Sequence, residues 1–364
     1  MGNNIMQGNA TLEKRMPDFN ENCFDILRLM AAFIVVFSHS FKWFGYTKPL
    51  WMLCFTDGSV GVIILYALSG YLTYASYDRI VKSGGNVWLF WYKRIVRICP
   101  LYLLTSVLMV FIDIIRRVDV NNLSYIIRRF LHIFTFGLIY VPDGITNGVI
   151  WSLRVELVFY FIVPFVYILL NKQNITVWIA TIAALWQFNV WDDKFLAFLA
   201  KIPVVHLLSR MDNPAMFMYQ FIIGSLFYCH RDKMLALFAR KQVIIPLTTV
   251  FVIWTFLYDK CNIIGKFGVM HNPIYGLVIP FITIGLGYAF GKIRLGFDIS
   301  YGVFLFHMLV IYEVLRLTKG GIPWMILSWG IIVAISFGMH YAFEKPVKKL
   351  TNKMERWLEM KLKK

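Results

Sequence analysis

Residues 25–39 read Asp25-Ile-Leu-Arg28-Leu-Met-Ala-Ala-Phe-Ile-Val-Val-Phe-Ser-His39. Three ionisable groups punctuate a run that is otherwise apolar, and the apolar segment 26–43 is about 27 Å long at the rise of a helix, close to the thickness of a bilayer core. Comparable stretches follow at 59–77, 98–115, 149–170, 174–190, 214–230, 243–258, 272–291, 298–315 and 323–343. The pattern predicts an all-α, polytopic transmembrane protein of about ten spans. An eleventh segment, 123–140, carries Arg128, Arg129 and His132 in its first half; it reads as an interfacial or re-entrant helix.

Composition agrees. Of 364 residues, 59% are hydrophobic and only 16% charged, against roughly 45–50% and 25% in soluble domains. That excludes a soluble enzyme built on one core, and the spans leave no room for a separate soluble domain. The expected organisation is a cytoplasmic segment 1–25, a membrane domain 26–343 and a basic cytoplasmic tail 344–364. The side holding both termini carries the larger share of Lys and Arg, eight of them between Lys345 and Lys364, so the positive-inside rule places it in the cytoplasm. The net charge of +17 is then topology rather than a nucleic-acid footprint, and no nucleic-acid partner is expected. Residues 1–22 lack the apolar core of a signal peptide. Cys23, Cys54, Cys99, Cys229 and Cys261 are scattered, without the spacing of a metal site or a disulfide framework.

An ionisable residue within a span is costly and is a functional candidate for that reason. Eleven helical steps return to within about 20° of the start, so Arg28 and His39 share a face, roughly 16 Å apart along the axis. Asp25, one turn before Arg28, can hold its guanidinium. A snorkelling arginine and a structurally bonded histidine would account for the same spacing. In Trp91-Tyr-Lys-Arg94-Ile-Val-Arg97 the two arginines lie one turn apart and suit phosphate, although topology-setting charge would look alike. Trp151-Ser152-Leu-Arg154-Val-Glu156 opens a span with Ser152 and Glu156 at i,i+4. That glutamate needs a partner, for which Arg154 or a histidine of another helix could serve; a substrate role and a structural ion pair both fit. Ser300 and His307 share a face two turns apart, and His340 and Glu344 read as an anchor closing the last span. Gly285, Gly287 and Gly291 read as close helix packing, since no strand precedes them.

Taken in order, these pieces resemble the acyltransferase-3 family of integral membrane acyltransferases: Arg28-x10-His39, Ser69-Gly70-Tyr71-Leu72, Arg94-x-x-Arg97 with Pro100-Leu101-Tyr102, Trp151-Ser152-Leu153-x-x-Glu156, Ser300-Tyr301-x-x-Phe304-Leu305-x-His307 and Glu344-Lys345-Pro346. Two departures are an Ile-Leu-Tyr run before Ala67 to Ser69, where Phe-Phe is usual, and Phe304 where Tyr is common. The resemblance implies transfer of an acyl group, most often acetyl, from cytosolic acetyl-CoA as co-substrate to a hydroxyl of a surface polysaccharide or lipid-linked glycan such as lipopolysaccharide O-antigen, in the inner membrane of a bacterium and without a metal. The expected assignments are His39 as general base, able alternatively to be acylated, and Glu156 as orienting or sugar-binding group. Arg28, Arg94 and Arg97 are expected on the coenzyme phosphates, with Asp25, Ser152, Ser300 and His307 in support. A transporter or flippase for a lipid-linked or charged substrate is the rival reading, because buried His, Arg and Glu suit it too.

Overall fold

The computed structural model describes residues 17–47, 58–117, 123–137, 148–190, 214–261 and 273–362. Residues 1–16 of the expected N-terminal segment, 138–140 of the eleventh segment and Cys54 lie outside them. Among the described residues, every apolar segment named above is built mainly of helix. The elements are α1 (Phe24–Phe44), α2 (Gly58–Lys82), α3 (Val87–Arg117), α4 (Leu123–Phe134), α5 (Ile150–Leu170), α6 (Ile175–Val190), α7 (Ala215–Cys229), α8 (Arg231–Phe238), α9 (Lys241–Cys261), α10 (Pro273–Ala289), α11 (Ser300–Leu317) and α12 (Ile322–Met339). A π-helical turn, His340–Glu344, then leads into α13 (Lys345–Leu362).

The expected count of ten spans is reached only in part. Six helices are long and apolar enough to cross a bilayer: α1, α2, α3, α5, α11, and α12 with its continuation. Helices α8 and α9, bent by 70° at a short break, would together make a seventh. The remaining apolar helices, Ile175–Gln187, Ala215–Cys229 and Ile274–Ala289, are shorter. The physical reason is length: α7 has 15 residues, about 22 Å at helical rise, and every residue from Met216 to Phe227 is buried. A helix apolar on all sides can be a lipid-facing span or the core of a bundle, and hydropathy does not separate the two.

α2 and α7 form the centre, with α1 packed on α2 and α11 on both α1 and α12. Gly70 and Gly224 let the central pair touch backbone to backbone; a Cβ on Gly70 would run into the Phe221 carbonyl, and one on Gly224 into that of Ala67. Such small-residue contacts suit helices that cannot rely on water to drive them together. Buried phenols are satisfied within the bundle: Tyr71 with the Tyr288 hydroxyl at 2.7 Å, and Tyr102 donating to the Ile133 carbonyl at 2.7 Å. The outside exposes Phe111, Phe165, Ile168, Leu169 and Ile326, a surface suited to lipid.

Helix α4 is a single short rod of 12 residues, about 18 Å long and too short to span. It exposes Leu123, Ile127, Phe130, Leu131 and Phe134 while burying Arg129 and His132. That amphipathic division fits the interfacial reading of its segment. Two of the three glycines pack as expected, Gly287 against the Phe24 ring and Gly285 against Ile244 and Phe238, whereas Gly291 lies beyond the end of α10 with a φ of 71° and nothing packed on it.

Candidate active site

α1 ends at Gly45, whose φ of 74° forms a left-handed cap, and it presents its polar residues at two levels. At the lower level Arg28 donates to Asp25 Oδ1 at 3.2 Å and to Asp298 Oδ2 at 2.9 Å. Arg294 donates to the other oxygen of Asp25 at 3.1 Å and to the Asn20 carbonyl at 3.1 Å. Asp298 precedes α11 and accepts from the Ser300 hydroxyl at 2.5 Å and the Ser300 backbone N–H at 3.2 Å. Burial alone would raise the Asp298 carboxyl; Arg28, the Ser300 hydroxyl and Arg97 together overcome this and hold it below the ordinary carboxylate value. Asp25 therefore does pair with Arg28. Ser300 serves Asp298 and has no bond to His307, although the two share a face.

Glu156 comes from the second turn of α5. Its Oε1 accepts from Ser69 of α2 at 2.7 Å and from Tyr160, one turn along, at 2.5 Å. These are hydroxyl partners, where the sequence pointed to Arg154 or a histidine. Ser152, the i,i+4 neighbour of Glu156, turns its hydroxyl back to the Val149 carbonyl at 2.8 Å, and its own carbonyl accepts from Tyr66 at 3.2 Å. The two arginines of α3 part company. Arg94 lays its guanidinium over Phe90 and Tyr160, 5.8 Å from each ring centre, whereas Arg97 faces a cavity.

At the upper level His39 Nδ1 lies 2.8 Å from His307 Nε2, and the rings are parallel within 4°. His307 is completely buried, and its Nδ1 is 2.7 Å from the Phe304 carbonyl. A carbonyl only accepts, so His307 Nδ1 carries a proton and, with both rings neutral, its Nε2 has the lone pair. His39 Nδ1 must then donate to it, which leaves the lone pair of His39 on Nε2. His307, a residue the sequence marked only as supporting, thus holds His39 at Nδ1, while Glu156 is bonded to Ser69 and Tyr160.

A cavity of about 810 Å³ joins most of these parts, toward the upper end of the usual ligand-pocket range of about 300–1,000 Å³. Asp25, Arg28, Arg97, Arg294 and Asp298 line it together with Ser69, Ser152, Glu156, Tyr160, Ser300 and Phe304. His340 and Glu344, bonded to each other at 2.9 Å across the π turn, also face it; π turns recur at functional positions. α13 supplies Lys345, Lys348, Thr351 and Glu355, and Lys93 anchors it by an ion pair with Glu355 at 2.7 Å. His39, His307 and Arg94 are not among the lining residues. The histidine pair stands one helical turn beyond Phe304, which does line the cavity.

Residues 21–343 match the family model for an acyltransferase domain. The chain belongs to the acyltransferase-3 family. Two relatives resemble this member of the family along most of their length: Nodulation protein 10 of Rhizobium leguminosarum bv. viciae and the O-acetyl transferase of Shigella phage Sf6, each 25% identical, covering 86% of this chain and 92% of their own. No solved structure matches. The chain is accordingly a membrane acyltransferase.

Sequence reasoning missed Asp298, Arg294, Ser69 as a partner of Glu156, and the role of the tail. Asp298 did carry a signal, since Asp298-Ile-Ser300 ahead of an apolar run is an N-terminal helix pattern. Nothing local marks it as the second carboxylate on Arg28, 270 residues away.

Proposed function

We propose that this acyltransferase is an O-acetyltransferase that moves acetyl from acetyl-CoA to a hydroxyl of a surface glycan. The observation that carries the reading is one cavity with Arg28, Arg97 and Arg294 at its basic end, leading through Ser69, Glu156 and Phe304 toward a histidine whose Nε2 holds the lone pair. Arg28 lines this cavity between its two carboxylates, and a guanidinium so placed suits phosphate. Lys93, Lys345 and Lys348 add charge at the same end, which fits the phosphates of a coenzyme. The relative named O-acetyl transferase supports acetyl as the group moved.

In this reading Arg97 and Arg28 bind the donor phosphates, and Asp25 and Asp298 keep Arg28 aimed into the cavity. His39 Nε2 takes the proton of the acceptor hydroxyl as that oxygen attacks the thioester carbonyl. The new C–O bond forms, the C–S bond breaks, and His39 returns the proton to the departing thiolate. His307 keeps Nδ1 of His39 occupied throughout, fixing which nitrogen is the base and accepting a hydrogen bond that strengthens as positive charge develops on His39. Glu156, held by Ser69 and Tyr160, offers its remaining lone pairs to acceptor hydroxyls. The basic cavity end faces the cytoplasm under the positive-inside rule, in the inner membrane of a bacterium, with both termini on that side. Ten crossings, counting the three shorter apolar helices and the bent pair, keep that parity.

The test is transfer of labelled acetyl from acetyl-CoA to glycan in membranes bearing the wild type, His39→Ala or Arg97→Gln. Transfer by the wild type, its loss in His39→Ala and a raised donor KM in Arg97→Gln support the reading. Full activity of His39→Ala removes that residue from the chemistry. Movement of an intact glycan across vesicles without release of coenzyme would favour a transporter.

A further inference from the structure

A second cavity, about 490 Å³, opens where α2, α7 and the segment before α1 meet. Phe19, Asn20, Asp78, Arg79, Lys82, Asn171, Tyr228, Cys229 and Arg231 line it, and none of these has a part in the acyl-transfer scheme. Its charge is unbalanced. Among the described residues Asp78 is its only carboxylate, and that group is already engaged by Tyr167 at 3.0 Å, Tyr228 at 2.8 Å and Lys82 at 2.7 Å. Arg79 and Arg231 form no ion pair among the described residues. Both guanidinium groups instead converge on the Phe19 ring, at 5.2 Å and 5.9 Å from its centre. Arg231 also stacks on Tyr288 at 5.3 Å and donates to the Pro17 carbonyl, while its Nε is buried with no partner.

Two like charges held against one ring repel each other, and an anion between them removes that cost. Paired planar guanidinium forks suit the oxygens of phosphate, with Lys82 at the rim and Phe19 and Tyr228 as apolar walls. The volume exceeds that of a bare phosphate and leaves room for an attached group. We propose that this second cavity is a phosphate-ester site in which Arg79 and Arg231 bind the phosphate oxygens, separate from the cavity assigned to the acyl donor. The ligand comes either from an anionic lipid headgroup at the membrane surface or from a soluble phosphate compound. The inference does not depend on the acyl-transfer reading.

Cys229 is a free thiol lining this cavity and reports its occupancy in the unmodified chain. The full-length wild type is reconstituted in phosphatidylcholine vesicles, and alkylation of Cys229 by a maleimide is followed by peptide mass spectrometry. One arm adds inorganic pyrophosphate; the other replaces part of the lipid with phosphatidylglycerol. Slowed alkylation of Cys229 in either arm, with Cys99 labelled at an unchanged rate, is the expected result. Protection only by phosphatidylglycerol assigns the site to lipid, and protection by pyrophosphate alone assigns it to a soluble ligand.

The double variant Arg79→Gln/Arg231→Gln should need about tenfold more anion for the same protection. Arg79→Lys/Arg231→Lys keeps the charge and guards against misfolding as the cause, so it should lie between the two. Arg28→Gln/Arg97→Gln should protect as the wild type does. Unchanged Cys229 alkylation in both arms overturns the proposal. Protection abolished by the Arg28→Gln/Arg97→Gln pair overturns it as well, because the anion would then be acting from the first cavity.

Discussion

Two levels of α1, eleven residues apart, solve the cost of polar groups in a bilayer in opposite ways. At the Arg28 level full charges are kept and matched: Arg28 and Arg294 share Asp25, and Arg28 also holds Asp298. At the His39 level the contacts are between rings and backbone: His39 leans on a second histidine, which leans on a backbone carbonyl. A charge network survives where water and headgroups are close, and it presents a cavity with fixed positive donors. Under the proposed reading, a neutral relay avoids the desolvation of ions at depth and defines the proton-accepting nitrogen by tautomer. In the proposed reading, one helix thus separates recognition of an anion from movement of a proton.

The contrast breaks most visibly if the upper level is dispensable. His39→Ala is expected to lower the turnover of acyl transfer by about a hundredfold to ten-thousandfold with normal insertion, read in the labelled-acetyl assay with membrane abundance as control. His307→Ala should follow, with a loss of about a hundredfold in turnover and little change in donor KM. His307→Gln can still donate to the Phe304 carbonyl or accept from His39, so it should recover part of the loss; a pH–rate profile that shifts in His307→Ala and returns toward wild type in His307→Gln distinguishes positioning from mere packing.

The lower level should respond in the other kinetic parameter. Arg97→Gln is expected to raise the donor KM about tenfold while turnover is nearly kept, whereas Arg94→Gln, whose guanidinium packs on Phe90 and Tyr160, should affect KM less. A reversal of that order would mean that the donor binds behind Tyr160. The smallest effect concerns acid. The Asp298 carboxyl is held below its ordinary value, so the stability it contributes is present above the unfolded-state value of about 4. That stability is lost as the pH falls through the lower folded value. Thermal unfolding of the wild type followed down through this range should show the loss, and Asp298→Asn should lack that component.

Local sequence carried some of this well. Asp25 and Arg28 are one turn apart on a single helix, so their bond at 3.2 Å follows from helical geometry alone. The apolar helices were legible as long apolar runs, whereas the short α8 and the basic α13 were not. Shared faces proved weaker evidence than they looked. Ser300 and His307 do face one side of α11, yet Ser300 is taken by Asp298, two residues away, and His307 by His39 of another helix. Ser152 and Glu156 likewise stand at i,i+4 and choose other partners. A short hydroxyl finds a nearby backbone carbonyl or carboxylate before it can reach a full turn along the helix.

Sequence alone determined that the chain is helical, that it lives in a bilayer, which ionisable residues stand inside apolar helices, and the order of short motifs that marks its family. Those properties depend on composition and on a period of 3.6 residues, both of which are local. Tertiary structure decided that α7 is a buried centre, that His307 holds His39, that Asp298 completes the Arg28 cluster, and that Glu156 belongs to Ser69 and Tyr160. Each of these joins residues on different helices or chooses among neighbours on one helix. The rotation and contact of packed helices set that choice, and no local pattern encodes it.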